Sequence, residues 1–338
     1  MHVPDGFLNA PTSVATGALA ATAVGISLRK ARDELDERTA PLAGLTAAFV
    51  FAVQMLNFPV GVGTSGHLMG GALAAVLVGP WTGVLCLTVV LIVQALLFAD
   101  GGLTALGTNI TLMGVVTVAV GWGVTRVLLA VMPRRSASVP PAAAIGALIS
   151  VPAAALVFVV LFAIGGEANL PFGGLVASML GWHTLIGIGE AVITGLTVSA
   201  VVAVRPDLVY AARGLQPTLQ IKQADGEAVP VPAAAESRPA VGRILLGGGL
   251  VALVLAGVVS FFASGNPDGL EYVAGEKGFL ETARDHLFGD FAFADYGEVG
   301  GIPVGVAGVL GVVVTVAAGV LIFRAVSRRS RDVETSRR

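Results

Sequence analysis

The chain has 338 residues, 55% of them apolar and only 12% charged, with a mean hydropathy of +0.86. A soluble domain carries about 25% charged residues and a disordered chain combines low hydrophobicity with high net charge, so both classes are excluded. The net charge of −2 leaves no basic surface for nucleic acid, Cys86 is the one cysteine, and none of the three lysines (Lys30, Lys222, Lys277) sits in a P-loop. An all-α, polytopic integral membrane bundle remains.

A membrane-crossing helix needs about 20 mostly apolar residues. Nine stretches read as spans, at about 11–28, 42–57, 67–79, 81–99, 109–131, 141–164, 183–204, 242–262 and 301–323. Residues 67–99 as one helix would run ~48 Å through a ~30 Å core. Gly79-Pro80 interrupts that run, and Pro removes a donor and clashes with the preceding turn. The third span is then short, tilted inward or beginning inside the protein.

Nine spans put four basic clusters on one side: Arg29–Arg38, Arg134–Arg135, Arg205 with Arg213, and the arginines from Arg324 onward. Merging spans three and four would separate them. By the positive-inside rule that side is cytoplasmic in a bacterial inner (plasma) membrane. The N-terminus and the loops 58–66, 100–108, 165–182 and 263–300 then lie outside. The last loop holds eight acids against Lys277 and Arg284. No cleavable signal peptide is expected, because the first basic side chain, Arg29, follows the first apolar run. The predicted organisation is a seven-span unit over 1–213, a Pro/Ala-rich cytoplasmic linker over 214–241, a two-span module over 242–326 and a basic tail over 327–338.

Polar groups inside a membrane are costly and mark candidate sites. They are His67, Gln94, Asn109, His183 and Glu190, with Asn57 at the outer end of span two. The terminus Met1-His2-Val3-Pro4 adds three nitrogens in chelating order: the Met1 amine, the His2 amide and the His2 Nδ1. They would close rings of five and six members on a cation. A large second residue disfavours removal of Met1. His67, on the same outer side, could supply a fourth nitrogen. An all-nitrogen tetragonal set suits Ni²⁺ or Cu²⁺, with Co²⁺ also possible. The competing reading has His67 satisfying a backbone carbonyl. His183 and Glu190, seven residues apart, share a helix face and read either as a relay or as an interhelical lock. Gln94 and Asn109 read as helix-joining groups, and Asn57 could orient a ligating histidine.

The motifs MHVPDGFL, FPVGVGTSGHLMGGALAAVLVGPW, VQALLFADGGLTALGTNI, GIGEAVITGL and VRPDL resemble the CbiM/NikM family over about 1–213. These are substrate-binding components of energy-coupling-factor importers for cobalt and nickel. SGNPDGLEYVAGEKGF resembles the PDGLE module of fused NikMN-type proteins. The resemblance implies metal ligation by Met1, His2 and His67, and Ni²⁺ or Co²⁺ as transported substrate, with the fusion leaning to nickel. It implies no organic cofactor and no enzymatic activity in this chain. The implied partners are a transmembrane T component (CbiQ/NikQ-like) and a cytoplasmic ATPase pair (CbiO/NikO-like), beside membrane lipid. The module loop with Asp268 and Glu271 would help load metal. A gradient-driven permease is the alternative, disfavoured because Glu190 is the one clear mid-span acid. A membrane enzyme ranks last, since no paired carboxylates or nucleophile–base set is visible.

Overall fold

The structure, a computed structural model, describes residues 1–338 except 36–38, 62, 216–219, 223–227, 231–240, 292, 295–302 and 336–338. An irregular segment over 1–9 leads into α1 (Ala10–Lys30) and α2 (Thr39–Gln54), then the antiparallel pair β1 (Phe58–Gly61) and β2 (Thr64–Gly66). Next come α3 (Gly71–Val78), α4 (Pro80–Leu97) and α5 (Leu106–Asn109), which continues through a π-helical stretch (Ile110–Val116) into α6 (Thr117–Val131). The helices α7 (Val139–Gly165) and α8 (Phe172–Val204) complete the larger bundle. Behind it lie the paired strands β3 (Gln220–Lys222) and β4 (Ala228–Pro230), then α9 (Val241–Gly257), α10 (Gly269–Lys277) and α11 (Val304–Thr335).

All nine predicted apolar segments are helical. Among the described residues seven helical stretches are long and apolar enough to cross a membrane: Ala10–Asp33, Pro80–Leu97, Leu106–Val131, Ser136–Gly165, Phe172–Val204, Val241–Phe262 and Val304–Ser327. The two shorter apolar helices beside them are α2, with 16 residues, and α3, with eight. The break falls at Gly79, whose φ of 102° suits glycine, with Pro80 opening α4 where its missing N–H costs nothing. Every residue from Thr64 to Val76 is buried, so α3 starts inside the protein.

Four expectations between and beyond the spans gain detail. Most of 165–182 is helical, because Leu175 and Met179 extend the buried stripe His183, Ile186, Glu190, Thr194 and Val198 of α8. The loop 263–300, expected outside, contains α10, capped by Asp268; Asp295 and Glu298 lie outside the described residues. α11 runs on through the expected tail to Thr335. The expected linker includes the β3–β4 pair, while its residues 216–219, 223–227 and 231–240 lie outside the described residues.

Small residues set the helix crossings, as expected where lipid offers no hydrophobic drive between helices. α11 lies along α2 and α9. A Cβ on Gly319 would stand 3.0 Å from the Gly44 Cα, so this α2–α11 crossing is backbone against backbone. That contact fixes the C-terminal helices on the unit that carries the N-terminal pocket.

Candidate metal centre

The first nine residues thread into one end of the bundle and are held by hydrogen bonds. Asn109 grips Val3 from both sides: Val3 N donates to Oδ1 at 2.8 Å and Nδ2 donates to Val3 O at 3.0 Å. Gly102 N also donates to Val3 O, at 2.9 Å. The Asp5 carboxylate accepts from Leu103 N at 3.1 Å, Thr104 N at 2.7 Å and the Thr104 hydroxyl. Arg284 N donates to Asp5 O at 2.8 Å, and Glu167 N to Phe7 O at 3.1 Å. The Asn9 side chain caps α1 through Thr12 N at 3.0 Å.

His67 lies on the turn between β2 and α3. Its Nδ1 is 3.0 Å from Leu68 O, which can only accept, so Nδ1 carries a hydrogen. That Nε2 meets the buried Met1 amine. The competing reading of His67, a ring nitrogen on a backbone carbonyl, is thus met at Nδ1, while Nε2 faces the amine. The turn is fixed by Glu190 on α8, whose carboxylate accepts from Met69 N at 2.7 Å and Gly70 N at 3.1 Å. Gly70 has φ +83°, a conformation that glycine adopts without strain.

The His2 ring stacks on His67 with centroids 4.8 Å apart and planes 21° from parallel. Its Nδ1 is 3.2 Å from Asp100 Oδ1 and its Nε2 is 3.2 Å from Gln94 Oε1. The four-nitrogen plane is thus only partly assembled. The Met1 amine and His67 Nε2 are together, whereas His2 Nδ1 is turned to Asp100. Burial pushes the His2 imidazole down to about 4, against the pull of Asp100.

Asp268 comes from the C-terminal module. Its Oδ2 lies 3.0 Å from the Met1 amine and 3.5 Å from His67 Nε2, while Oδ1 caps α10 through Leu270 N at 2.8 Å and Glu271 N at 2.9 Å. Burial raises its pKa, but the Met1 ammonium and His67 outweigh it and hold the carboxyl well below the usual range. The loop is seated by Ser65 N on Pro267 O at 2.9 Å and Ser65 Oγ on Asn266 O at 2.7 Å. Among the described residues no three His, Cys, Asp or Glu side chains form a metal cage, so a cation here would depend on amine and main-chain nitrogen.

The predicted residues thus separate. Met1, His2, His67, Gln94, Asn109, Glu190 and Asp268 belong to one network. Asn57 gives its main-chain carbonyl to Ser264 N at 2.8 Å, on the seam with the module, and no hydrogen bond joins its side chain to either imidazole. The Glu271 side chain is exposed. His183 donates from Nδ1 to Met179 O at 2.8 Å, and its buried Nε2 has no hydrogen-bond partner among the described residues. Sequence reasoning missed Asp5, Asp100 and Gln54. Gln54, a lone amide ending an apolar run, meets the criterion that selected Gln94.

Comparison with known proteins adds to this geometry. Residues 2–208 match the family model for the cobalt uptake substrate-specific transmembrane region, CbiM, and residues 242–328 match the PDGLE domain. A protein of Haloquadratum walsbyi named for metal transport is 39% identical over 210 residues, which is 62% of this chain and 94% of that one. A protein of Archaeoglobus fulgidus named as a fused nickel transport protein, NikMN, is 39% identical over 211 residues, covering 62% and 68%. The crystal structure of a transition metal transporter superposes with a TM-score of 0.55 at 31% identity, covering 60% of this chain and 93% of that one.

Proposed function

Because the chain belongs to the CbiM family and carries a fused PDGLE domain in the NikMN manner, we propose that this cobalt/nickel transport component captures its ion through the N-terminal nitrogens. It works as the substrate-binding subunit of an energy-coupling-factor importer. Ni²⁺ or Co²⁺ is the cargo, and nickel is favoured by the similarity to fused nickel transport proteins. The Met1 amine, the His2 amide and Nδ1, and His67 Nε2 are the ligands. The observation that carries this reading is the buried Met1 amine against His67 Nε2 with the His2 ring stacked above.

The functional division follows the sequence: 1–213 captures metal, 242–326 loads it. The module's Asp268, already on the Met1 amine, hands the cation to the nitrogens, with Glu271 beside it at the mouth. Amide ligation releases a proton, so binding weakens as pH falls. A separate T component and ATPase pair drive release inward. The N-terminus faces outward from the cell membrane and the arginine clusters face the cytoplasm.

The test is Ni²⁺ and Co²⁺ titration of the purified chain, of His2→Ala and His67→Ala, and of a variant with one residue added before Met1. The three altered proteins should lose binding by at least about 100-fold, the upper range for removing metal-site support. Parent-like binding by the extended variant rejects the chelate. Transport by the purified chain alone in liposomes rejects the need for ATPase partners.

A further inference from the structure

We propose that Gln54 and Gln94 form a directional amide relay that reserves Nδ1 of His2 as that ring's metal-binding nitrogen and ties the ring to the His67 turn. The proposal rests on the reading above that His2 and His67 hold the cation.

The direction is set at the far end. Met69 O is a carbonyl and can only accept, so the atom 3.0 Å from it is the Gln54 amide nitrogen. The remaining polar atom of Gln54, Oε1, accepts from Gln94 Nε2 at 2.9 Å. That leaves Gln94 Oε1 facing His2 Nε2 at 3.2 Å. An oxygen there accepts, so Nε2 carries a hydrogen; Nδ1 faces the Asp100 carboxylate, and once that nitrogen gives up any hydrogen shared with Asp100 its lone pair is the one left for a cation. Reversing either amide sets two acceptors or two donors against each other. Gln54 is 5% exposed and Gln94 2%, so water does not substitute for a broken link.

This arrangement matches what a terminal chelate requires. Nδ1 closes a six-membered ring with the residue's own amide, whereas Nε2 points away from it. The two sides of the ring are unequally held. Asp100, which faces Nδ1, is 36% exposed at the mouth and can exchange its place for a cation, while Gln94 is locked from behind. The relay ends on Met69, whose N–H is held by Glu190. Met69, two residues past His67, is therefore held at both its N–H and its C=O, and the two imidazoles share one buried network. Gln54 and Gln94 are positioning residues, since they act through His2.

The experiment is Ni²⁺ titration of the full-length chain in detergent for Gln94→Leu, Gln54→Leu and Gln94→Glu. Both Leu variants should weaken binding about ten- to hundredfold. Gln54→Leu carries the claim, because Gln54 has no hydrogen bond to His2. Gln94→Glu keeps an acceptor facing Nε2–H but sets an oxygen against Gln54 Oε1, so it should recover only part of the affinity lost in Gln94→Leu, a partial rescue that a purely space-filling role does not give. Wild-type affinity in the Leu variants, or a Glu variant no better than Leu, overturns the relay. Ring-¹⁵N NMR of the wild type is independent of variant folding: His2 Nε2 should be bonded to hydrogen, and a bare Nε2 overturns the proposal. If His2→Ala and His67→Ala bind like the parent, the chelate itself fails. If they lose binding and the relay variants do not, the relay alone fails.

Discussion

Between Met1 and Leu8 the chain has no helix, yet Val3, Asp5 and Phe7 each accept a hydrogen bond from another part of the molecule through their main-chain oxygens. The α7–α8 pair is the reverse case. Its main-chain groups are paired mainly within each helix, Pro152 leaving Leu148 O without its usual donor, and the two helices meet on small residues: a Cβ on Gly187 would stand 2.8 Å from Leu148 O, and one on Gly195 3.3 Å from the Ala144 Cβ. Both regions exclude water, but by different means. The terminus is positioned by directional polar contacts, which set atoms to within tenths of an ångström. The helix pair is positioned by shape, which tolerates polar silence but not added volume.

This contrast can be tested by variants that touch one region and not the other. Gly70→Val places a β-branched side chain at φ +83° with a methyl of Val50 2.7 Å from its Cβ. It should displace the His67 turn and reduce Ni²⁺ affinity by more than about 100-fold, since loss of supporting contacts already costs 10–100-fold; titration of the folded fraction measures this.

Acid should discriminate next. The folded state holds neutral His2 down to about 4, against 6.5 for an ordinary histidine. The unfolded chain therefore takes up the proton first, so stability falls as pH drops from 6.5 towards 4. The loss is on the order of 3 kcal/mol at pH 4. Thermal melts of the metal-free protein should show this slope, and His2→Asn should flatten it.

Gly187→Leu should lower stability by about 1–3 kcal/mol through overpacking, read as a lower melting temperature, with the Ni²⁺ affinity of the folded protein unchanged. A loss of affinity here would erase the proposed separation of regions. Glu190→Gln sits between the two regions, on α8 but bonded to the His67 turn. It keeps one acceptor and loses the other, and should weaken binding about tenfold with little change in melting temperature.

Much of this was legible in the residues. Hydropathy marked every apolar helix, and Gly79-Pro80 marked the α3–α4 break. Their lengths were less legible. The apolar run of α3 is interrupted before His67 by a hairpin that hydropathy does not resolve, and α8 extends through Phe172–Gly181 because a stripe of single buried residues suffices. At the site, lone polar groups in apolar runs identified Gln94, Asn109, His183 and Glu190. Their partners were invisible, because each lies far away in sequence: Glu190 meets Met69, and Asn109 meets Val3. Asp5 and Asp100 looked like ordinary loop acids, and only the threading of the terminus gives them partners.

One carboxylate, Asp268, serves two structures with its two oxygens: Oδ1 starts a helix and Oδ2 reaches the amine that begins the chain. Its side-chain length is therefore set twice over. Glutamate is one methylene longer and a poor helix-starting residue, so it could keep the reach only by abandoning the start of α10. Beside the Ser65, Asn57 and Asp5 contacts and the α2–α11 crossing, this two-carbon side chain thus registers the smaller unit directly on the amine, and any ion that competes for the amine is felt at the first turn of that helix.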